Sequence, residues 1–226
     1  MNYTKFIPQK ISFNKSISNH QNLLNSNILN GKILVIGGAG TIGSSYIKQI
    51  LKYKPSKITV VDINENGLTE LTRDLRSSNL LDYNPEYITY PVNLLSDTFD
   101  KVFNSESWQV VANFSAHKHV RSEKDKISVE ALIKNNVFGA IKLLNLCELN
   151  PPKYFFSVST DKAANPVNIM GASKSLMEKL ILSKKSKFRV STARFANVAF
   201  SNGSLLDGFI YRLNKKQPLS CPEDIK

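Results

Sequence analysis

The sequence contains few cysteines and no long apolar run. Only two cysteines, Cys147 and Cys221, occur among 226 residues, which is too few to indicate a disulfide framework or a zinc site. No run approaches the roughly 18 apolar residues that a membrane-spanning helix needs, and the N-terminus lacks the apolar core of a secretion signal. These absences favour a reducing, cytoplasmic setting, and they leave open a peripheral association with the inner face of the membrane.

Acidic residues are also scarce, since 18 Asp and Glu stand against 30 Lys and Arg for a net charge of +12. Such a charge attracts nucleic acid, an anionic membrane surface or a phosphorylated substrate, and charge alone does not choose among them. The lysines are scattered without an arginine-rich run, so we expect a basic solvated surface and no nucleic-acid partner. Residues 1–30 hold three lysines and no acid, and we interpret them as a basic leader or connector. Its apolar face is expected to be Leu23, Leu24, Ile28 and Leu29.

A glycine-rich turn between a predicted strand and a predicted helix is the most informative local motif. Residues 32–36 form a run too short for a helix and typical of a buried parallel strand. Gly37, Gly40 and Gly43 follow it, and they suit a tight turn, a close approach to a pyrophosphate and a close helix–strand contact. Asp62 ends the next predicted strand. An acid there accepts the ribose hydroxyls of an adenosine and repels a 2′-phosphate, so the motif favours NAD over NADP.

Predicted strands and helices alternate along the chain. The further strands are expected at 58–62, 87–90, 109–114, 154–159 and 189–195, and the helices at 42–51, 68–77, 128–149 and 170–182. This alternation predicts an α/β fold, a Rossmann-like doubly wound parallel sheet, for residues 31–200. Ligands bind beyond the carboxyl ends of such strands. Thr41, Ile42, Asn93, Leu94, Ala116 and Lys118 are therefore further cofactor-binding candidates.

Two histidines, His117 and His119, flank Lys118 after the fourth predicted strand. No carboxylate or cysteine cluster accompanies them, so we expect no metal site.

Three segments in the second half of the chain carry the chemistry. Residues 159–166 read STDKAANP, residues 170–174 read MGASK and residues 194–198 read RFANV. In these segments the sequence resembles the extended short-chain dehydrogenase/reductases, and more narrowly the UDP-N-acetylglucosamine 4,6-dehydratases of polysaccharide and glycan biosynthesis. The resemblance runs from about residue 23 to the end of the chain.

The resemblance implies transfer of hydride from sugar C4 to NAD, elimination across C5 and C6, and return of hydride to C6. It assigns Asp161 as the acid and Lys162 as the base, and these roles require a raised pKa for Asp161 and a lowered pKa for Lys162. Lys174 is expected to hold the nicotinamide ribose. Met170 stands where most of the superfamily has tyrosine, and a thioether does not titrate. Asp161, relayed through Thr160, is one candidate for the C4 hydroxyl proton, and the sequence leaves that group undecided.

Residues 201–226 are expected to begin a small substrate lobe of which the C-terminal half is absent. The matching substrate-side positions are Asn197, Ser201, Gly203 and Ser204. Asn202 stands where relatives usually have arginine, which weakens the inferred diphosphate contact. A homo-oligomer is expected, and the C5 stereochemistry stays open. The alternatives are a nucleotide-sugar 4-epimerase, against which Met170 argues, and a nonenzymatic NAD-binding or assembly protein.

Overall fold

The computed structural model of the protein describes residues 13–118 and 123–219. Six strands form one sheet with the order β3-β2-β1-β4-β5-β6, and every neighbouring pair is parallel. The strands are β1 (Lys32–Ile36), β2 (Lys57–Asp62), β3 (Glu86–Pro91), β4 (Val110–Asn113), β5 (Tyr154–Thr160) and β6 (Arg189–Phe195). This order is that of the doubly wound dinucleotide-binding folds, so the predicted Rossmann-like fold class is confirmed.

Helices connect the strands and cover both faces of the sheet. They are α1 (Asn14–Asn19), α2 (Gln21–Ile28), α3 (Thr41–Leu51), α4 (Glu65–Ser77), α5 (Asp97–Asn104), α6 (Lys126–Ile133), α7 (Gly139–Leu149), α8 (Ile169–Ser183) and α9 (Leu205–Asn214). A π-helical segment, Lys134–Phe138, joins α6 to α7, and a short 3₁₀ turn, Asp161–Ala163, follows β5.

The hydrophobic core lies in two layers, one on each face of the sheet. Ile33 and Val35 of β1 pack into the layer covered by α3 and α4. Leu34 and Ile36 point the other way, into the layer that holds buried side chains of α5, α7 and α8. Both layers use successive residues of β1 because alternate side chains of a strand point to opposite faces. The near-continuous apolar sequence of β1 follows from this two-sided burial.

The leader contains two short helices that the sequence did not indicate. Leu24 and Ile28 of α2 pack against the core. Asn27 adds polar contacts, because its side-chain oxygen accepts a hydrogen bond from the Tyr154 hydroxyl at 2.8 Å. Leu23 and Leu29 were expected on the apolar face and are exposed instead, because α2 ends at Ile28 and contacts the core through one narrow stripe. Residues 1–12 of the predicted leader lie outside the described residues.

Most predicted elements occur within two residues of their expected bounds. The helix predicted over 128–149 begins at Lys126 and is interrupted by the π segment. Helix α5 was not predicted. It is amphipathic, begins after a Ser96 cap and buries Phe99, Val102 and Phe103.

Helix α9 follows β6 and begins the region predicted to be a substrate lobe. Within the described residues none of its side chains is buried, and residues 220–226 of the predicted lobe lie outside them. No helix in the described ranges is long and apolar enough to cross a membrane.

Leu143 of α7 tests the packing of the layer under α5, α7 and α8. Its side chain is fully buried in that layer, so Leu143→Ala is expected to lower the free energy of unfolding by about 2–5 kcal/mol. Urea denaturation measures the change. Leu149→Ala is the control, since Leu149 ends the same helix with 83% of its surface exposed. Equal losses in the two variants would contradict the packing described.

Candidate cofactor and active site

A cavity of about 1010 Å³ opens at the carboxyl ends of the strands. Its walls include residues from the ends of β1, β2, β5 and β6, from the segments directly after β3 and β4, and from the start of α9. Every site residue predicted from the sequence lines this cavity except Asp161. The cavity therefore brings together the glycine turn, the segment after β5, Met170 and Lys174 of α8, and the segment after β6.

The three glycines of the turn differ in what surrounds them. Gly37 has a φ of +75°, and a Cβ atom on it would lie 2.5 Å from the backbone nitrogen of Ser115. A Cβ on Gly43 would collide with the Gly37 carbonyl oxygen and lie 2.8 Å from the Gly38 Cα. At Gly40 the nearest atom would be 3.5 Å away, on the cavity wall. These surroundings match a tight turn, a close helix–strand contact and an open cradle for a ligand, respectively.

Asp62 ends β2 at the rim of the cavity. One carboxylate oxygen accepts the Ala39 N–H at 3.0 Å, and the other accepts the Asn64 N–H at 3.0 Å. Each oxygen retains a second acceptor position. The two backbone bonds fix the carboxylate beside the glycine turn, where it can accept ribose hydroxyls and repel a further phosphate.

Asn136 in the π segment organises the loop after β4, and sequence reasoning did not give it this role. Its side-chain oxygen accepts the His117 N–H at 2.9 Å. Its amide nitrogen donates to the His117 carbonyl at 3.0 Å and to the Ser173 hydroxyl at 3.1 Å. The buried amide thereby ties the loop that holds Ala116 to α8. The sequence signal that could have indicated this role is the position of Asn136, a polar residue on the apolar face of the predicted helix.

Asp161 and Lys162 occupy the turn that follows β5. The Thr160 hydroxyl and the Lys162 N–H each donate to the same Asp161 oxygen at 2.9 Å, and the Lys162 Nζ lies 3.5 Å from it. The Thr160 hydrogen bond and, to a smaller extent, the charge of Lys162 hold the pKa of Asp161 below its usual value. The prediction of a raised pKa for Asp161 is therefore wrong. This carboxylate is exposed and accepts hydrogen bonds from the Thr160 hydroxyl and the Lys162 N–H.

Lys174 is buried in α8 on the cavity wall. Its Nζ donates to the Val158 carbonyl at 2.8 Å and lies 3.2 Å from the Met177 sulfur. Burial lowers its pKa to about 8, and the charge of Glu178 partly opposes that effect. Met170, one turn earlier, is also buried, and its N–H donates to the Glu123 carboxylate at 2.8 Å.

The segment after β6 crosses from the sheet to the start of α3. The backbone N–H of Asn202 donates a hydrogen bond to the Thr41 hydroxyl at 3.0 Å. The backbone carbonyl of Asn202 accepts a hydrogen bond from Lys118 Nζ at 3.2 Å. The Ser204 hydroxyl then caps α9. Asn197, Ser201 and Gly203 line the cavity on this segment. The backbone contacts of Asn202 were not predicted, and they do not depend on its side chain.

Among the described residues, no group of three or more His, Cys, Asp or Glu side chains could hold a metal ion. His119, one of the two histidines weighed for a metal, lies outside those residues.

A family model described as "Polysaccharide biosynthesis protein" matches residues 33–224. The chain belongs to this family. One relative is an uncharacterized membrane protein of Methanocaldococcus jannaschii, 35% identical over 83% of this chain and 55% of its own. Another is a UDP-N-acetylglucosamine 4,6-dehydratase (inverting) of Campylobacter jejuni, 32% identical over 80% of this chain and 54% of its own. This family member spans about half the length of these curated relatives.

Two solved structures share the fold. Pen from Bacillus thuringiensis superposes with a TM-score of 0.75 at 26% identity, over 87% of this chain and 61% of its own. A Bacillus cereus UDP-glucuronic acid 4-epimerase, solved with UDP-glucuronic acid and NAD, gives a TM-score of 0.68 at 21% identity. The match covers 85% of this chain and 66% of the epimerase chain. The family member therefore has the fold of these solved structures.

The glycine turn predicts different responses at Gly43 and Gly40. Gly43→Ala must push the start of α3 away from Gly37, so we expect a loss of about 1–3 kcal/mol in unfolding free energy. Gly40→Ala is the matched control and should stay within about 0.5 kcal/mol, because its Cβ meets only ordinary contacts. Thermal and urea denaturation compare them. A Gly43→Ala variant as stable as Gly40→Ala would refute the close contact.

Proposed function

We propose that this chain is the catalytic part of a nucleotide-sugar 4,6-dehydratase that uses NAD and acts on UDP-N-acetylglucosamine. One observation carries the proposal: a single cavity is lined by the glycine turn, by Thr160 and Lys162, and by Met170 and Lys174. The Campylobacter jejuni dehydratase among the relatives supports the substrate class.

The cofactor is NAD, and the residues present fit it. Gly40 leaves space at the start of α3, where helix N–H groups and the positive end of the helix dipole favour a pyrophosphate. Asp62 suits the adenosine ribose of NAD and would repel the 2′-phosphate of NADP. Asn93, Leu94 and Ala116 line the cavity around these groups. When bound, NAD supplies the reversible hydride acceptor for the sugar.

Asp161 begins the reaction as a base in this proposal. Its lowered pKa keeps it ionised near neutral pH, so it can take the C4 hydroxyl proton through the Thr160 hydroxyl, which lies 2.9 Å from it. Met170 cannot take that proton, because a thioether does not titrate. The protonated Asp161 then serves as the acid that releases the C6 hydroxyl as water.

Lys162 removes the C5 proton in the same elimination and returns a proton to C5 when C6 is reduced. A neutral amine is required for the first of these steps. The balanced result is a 4-keto-6-deoxy sugar and one water. A 4-epimerase needs no acid–base pair for C5 and C6, so the Asp161–Lys162 pair is why dehydration is preferred.

The remaining assignments are part of the same proposal. Residues 31–200 form the NAD-binding domain, and the segment from Asn197 through Ser204 approaches the nucleotide diphosphate or the sugar. Residues 1–30 are a basic connector, and residues 201–226 begin a substrate lobe. The protein assembles as a homo-oligomer in the cytoplasm and associates peripherally with glycan-synthesising machinery at the inner face of the membrane.

Proton NMR in deuterated water tests the reaction directly. The chain, UDP-N-acetylglucosamine and catalytic NAD should give a C6 methyl signal with deuterium at C5 and no accumulation of NADH. Lys162→Met and Asp161→Asn should each lower the rate by about 10²–10⁴. An epimerised sugar without a methyl signal would replace dehydration by the 4-epimerase alternative.

Two surface variants control for nonspecific damage in that assay. Lys179→Met changes an exposed lysine of α8, and Asp74→Asn changes an exposed aspartate of α4 that pairs with Lys48. Both should keep the wild-type rate. A Lys162→Met variant as active as Lys179→Met would exclude Lys162 as the base.

Lys174 predicts a pH dependence of NAD affinity. Its amine is protonated below its pKa of about 8 and neutral above it, so a charge-assisted hydrogen bond to the cofactor is lost as the pH rises through this value. Calorimetry should show about a fivefold weaker affinity at pH 9 than at pH 7. Lys174→Met should bind weakly at both values, and Lys179→Met should behave as wild type. The same pH dependence in Lys174→Met would contradict this role.

A further inference from the structure

Glu178 is a buried carboxylate that the proposed reaction does not use. Only 5% of its surface is exposed, and it lies one turn after Lys174 on the same face of α8. A buried charge is retained where a partner stabilises it. Two buried ionisable groups of opposite sign therefore stand on one helix face, and of the two Lys174 lines the cavity.

Arg194 of β6 holds this carboxylate in a fixed orientation. Its Nε lies 3.0 and 3.2 Å from the two Glu178 oxygens, and one terminal nitrogen donates to Oε2 at 2.6 Å. This fork keeps the pKa of Glu178 below its usual value, mainly through the Arg194 hydrogen bonds. Glu178 is thus an anion across the neutral range, although it is buried.

Lys174 has its own hydrogen-bond partner and does not need Glu178 as an acceptor. Its Nζ donates to the Val158 carbonyl at the end of β5. The Nζ contacts of Lys174 are to Val158 and Met177, so the glutamate acts on Lys174 through its charge while β5 sets the position of the amine. Arg194 pairs with Ser159 across the β5–β6 ladder, which fixes the fork one residue beyond Val158.

We propose that Glu178, oriented by Arg194, is a positioning residue that supplies the buried counter-charge for Lys174 at the cofactor cavity. The inference rests on the proposed function where that function places Lys174 against the cofactor. Without a counter-charge, burial would favour the neutral amine. The pair therefore keeps a cationic donor in a wall that excludes water.

Other charged or titratable groups lie around this part of the cavity. They are Glu123 ahead of α6, Asp161 and Lys162 after β5, His117 and Lys118 after β4, Lys134 in the π segment and Arg194 itself. The charge that raises the pKa of Lys174 is that of Glu178, on its own helix.

The test measures the pKa of Lys174 in the protein without added nucleotide, by NMR of ¹³C-labelled lysine with the signal assigned by its loss in Lys174→Met. Glu178→Gln removes the anion, so the Lys174 pKa should fall by about one pH unit or more from about 8. Arg194→Gln removes the competing cation and leaves the anion, so the Lys174 pKa should rise. Glu148→Gln, at a surface pair with Lys184 between α7 and α8, should leave it unchanged.

Opposite shifts in the two variants separate this role from a structural one. If the pair only joined α8 to β6, both variants would loosen the same contact and shift the Lys174 pKa in the same direction or leave it unchanged. Either result would overturn the proposal. Arg194→Gln keeps the test decisive if Glu178→Gln does not fold, because a fall or no change in the pKa would then refute it. Because no nucleotide is added, the measured pKa shifts do not depend on whether the protein catalyses the proposed reaction.

Discussion

The contact between Gly43 and the carbonyl of Gly37 is the constraint on which the cavity depends. It seats the first turn of α3 against the end of β1, and any larger residue at Gly43 would have to push the two apart. Gly37 in turn contacts the backbone of Ser115, so the same turn fixes the loop that leaves β4. The strand order of the sheet reverses between the neighbouring strands β1 and β4. Ligands bind at such a switch point because the connections diverge there and leave a crevice.

Local sequence patterns predicted this half of the cavity well, because local backbone requirements decide it. A glycine at a positive φ, a helix that starts directly after it and an acid at the end of the next strand are all consequences of short segments. The fold class followed from the alternation of apolar strands and amphipathic helices. Parallel strands buried on both faces give a strong pattern, and β1 and β2 are of this kind.

The parts that the sequence did not predict depend on contacts between distant segments. Asn136 bonds a loop residue nineteen positions away and a hydroxyl on α8, and no periodicity indicates such a bridge. Of the two leader helices, α2 contacts the core through Leu24 and Ile28 and contacts β5 through Asn27, and both contacts join segments distant in sequence. The pKa of Asp161 was misjudged because identity and position give no information on exposure or on the orientation of the Thr160 hydroxyl.

The cavity places its ionisable groups in two different environments, and the difference orders the proposed steps. Asp161 lies in solvent with several donors and is held as an anion, whereas Lys174 lies in the wall and depends on Glu178 for its charge. A carboxylate that begins ionised accepts a proton before it can donate one, so oxidation at C4 must precede release of the C6 hydroxyl. That order is also required by the chemistry, because the C5 proton becomes acidic only after C4 is a ketone. The lowered pKa of Asp161 is therefore consistent with an acid that is loaded with its proton by the substrate.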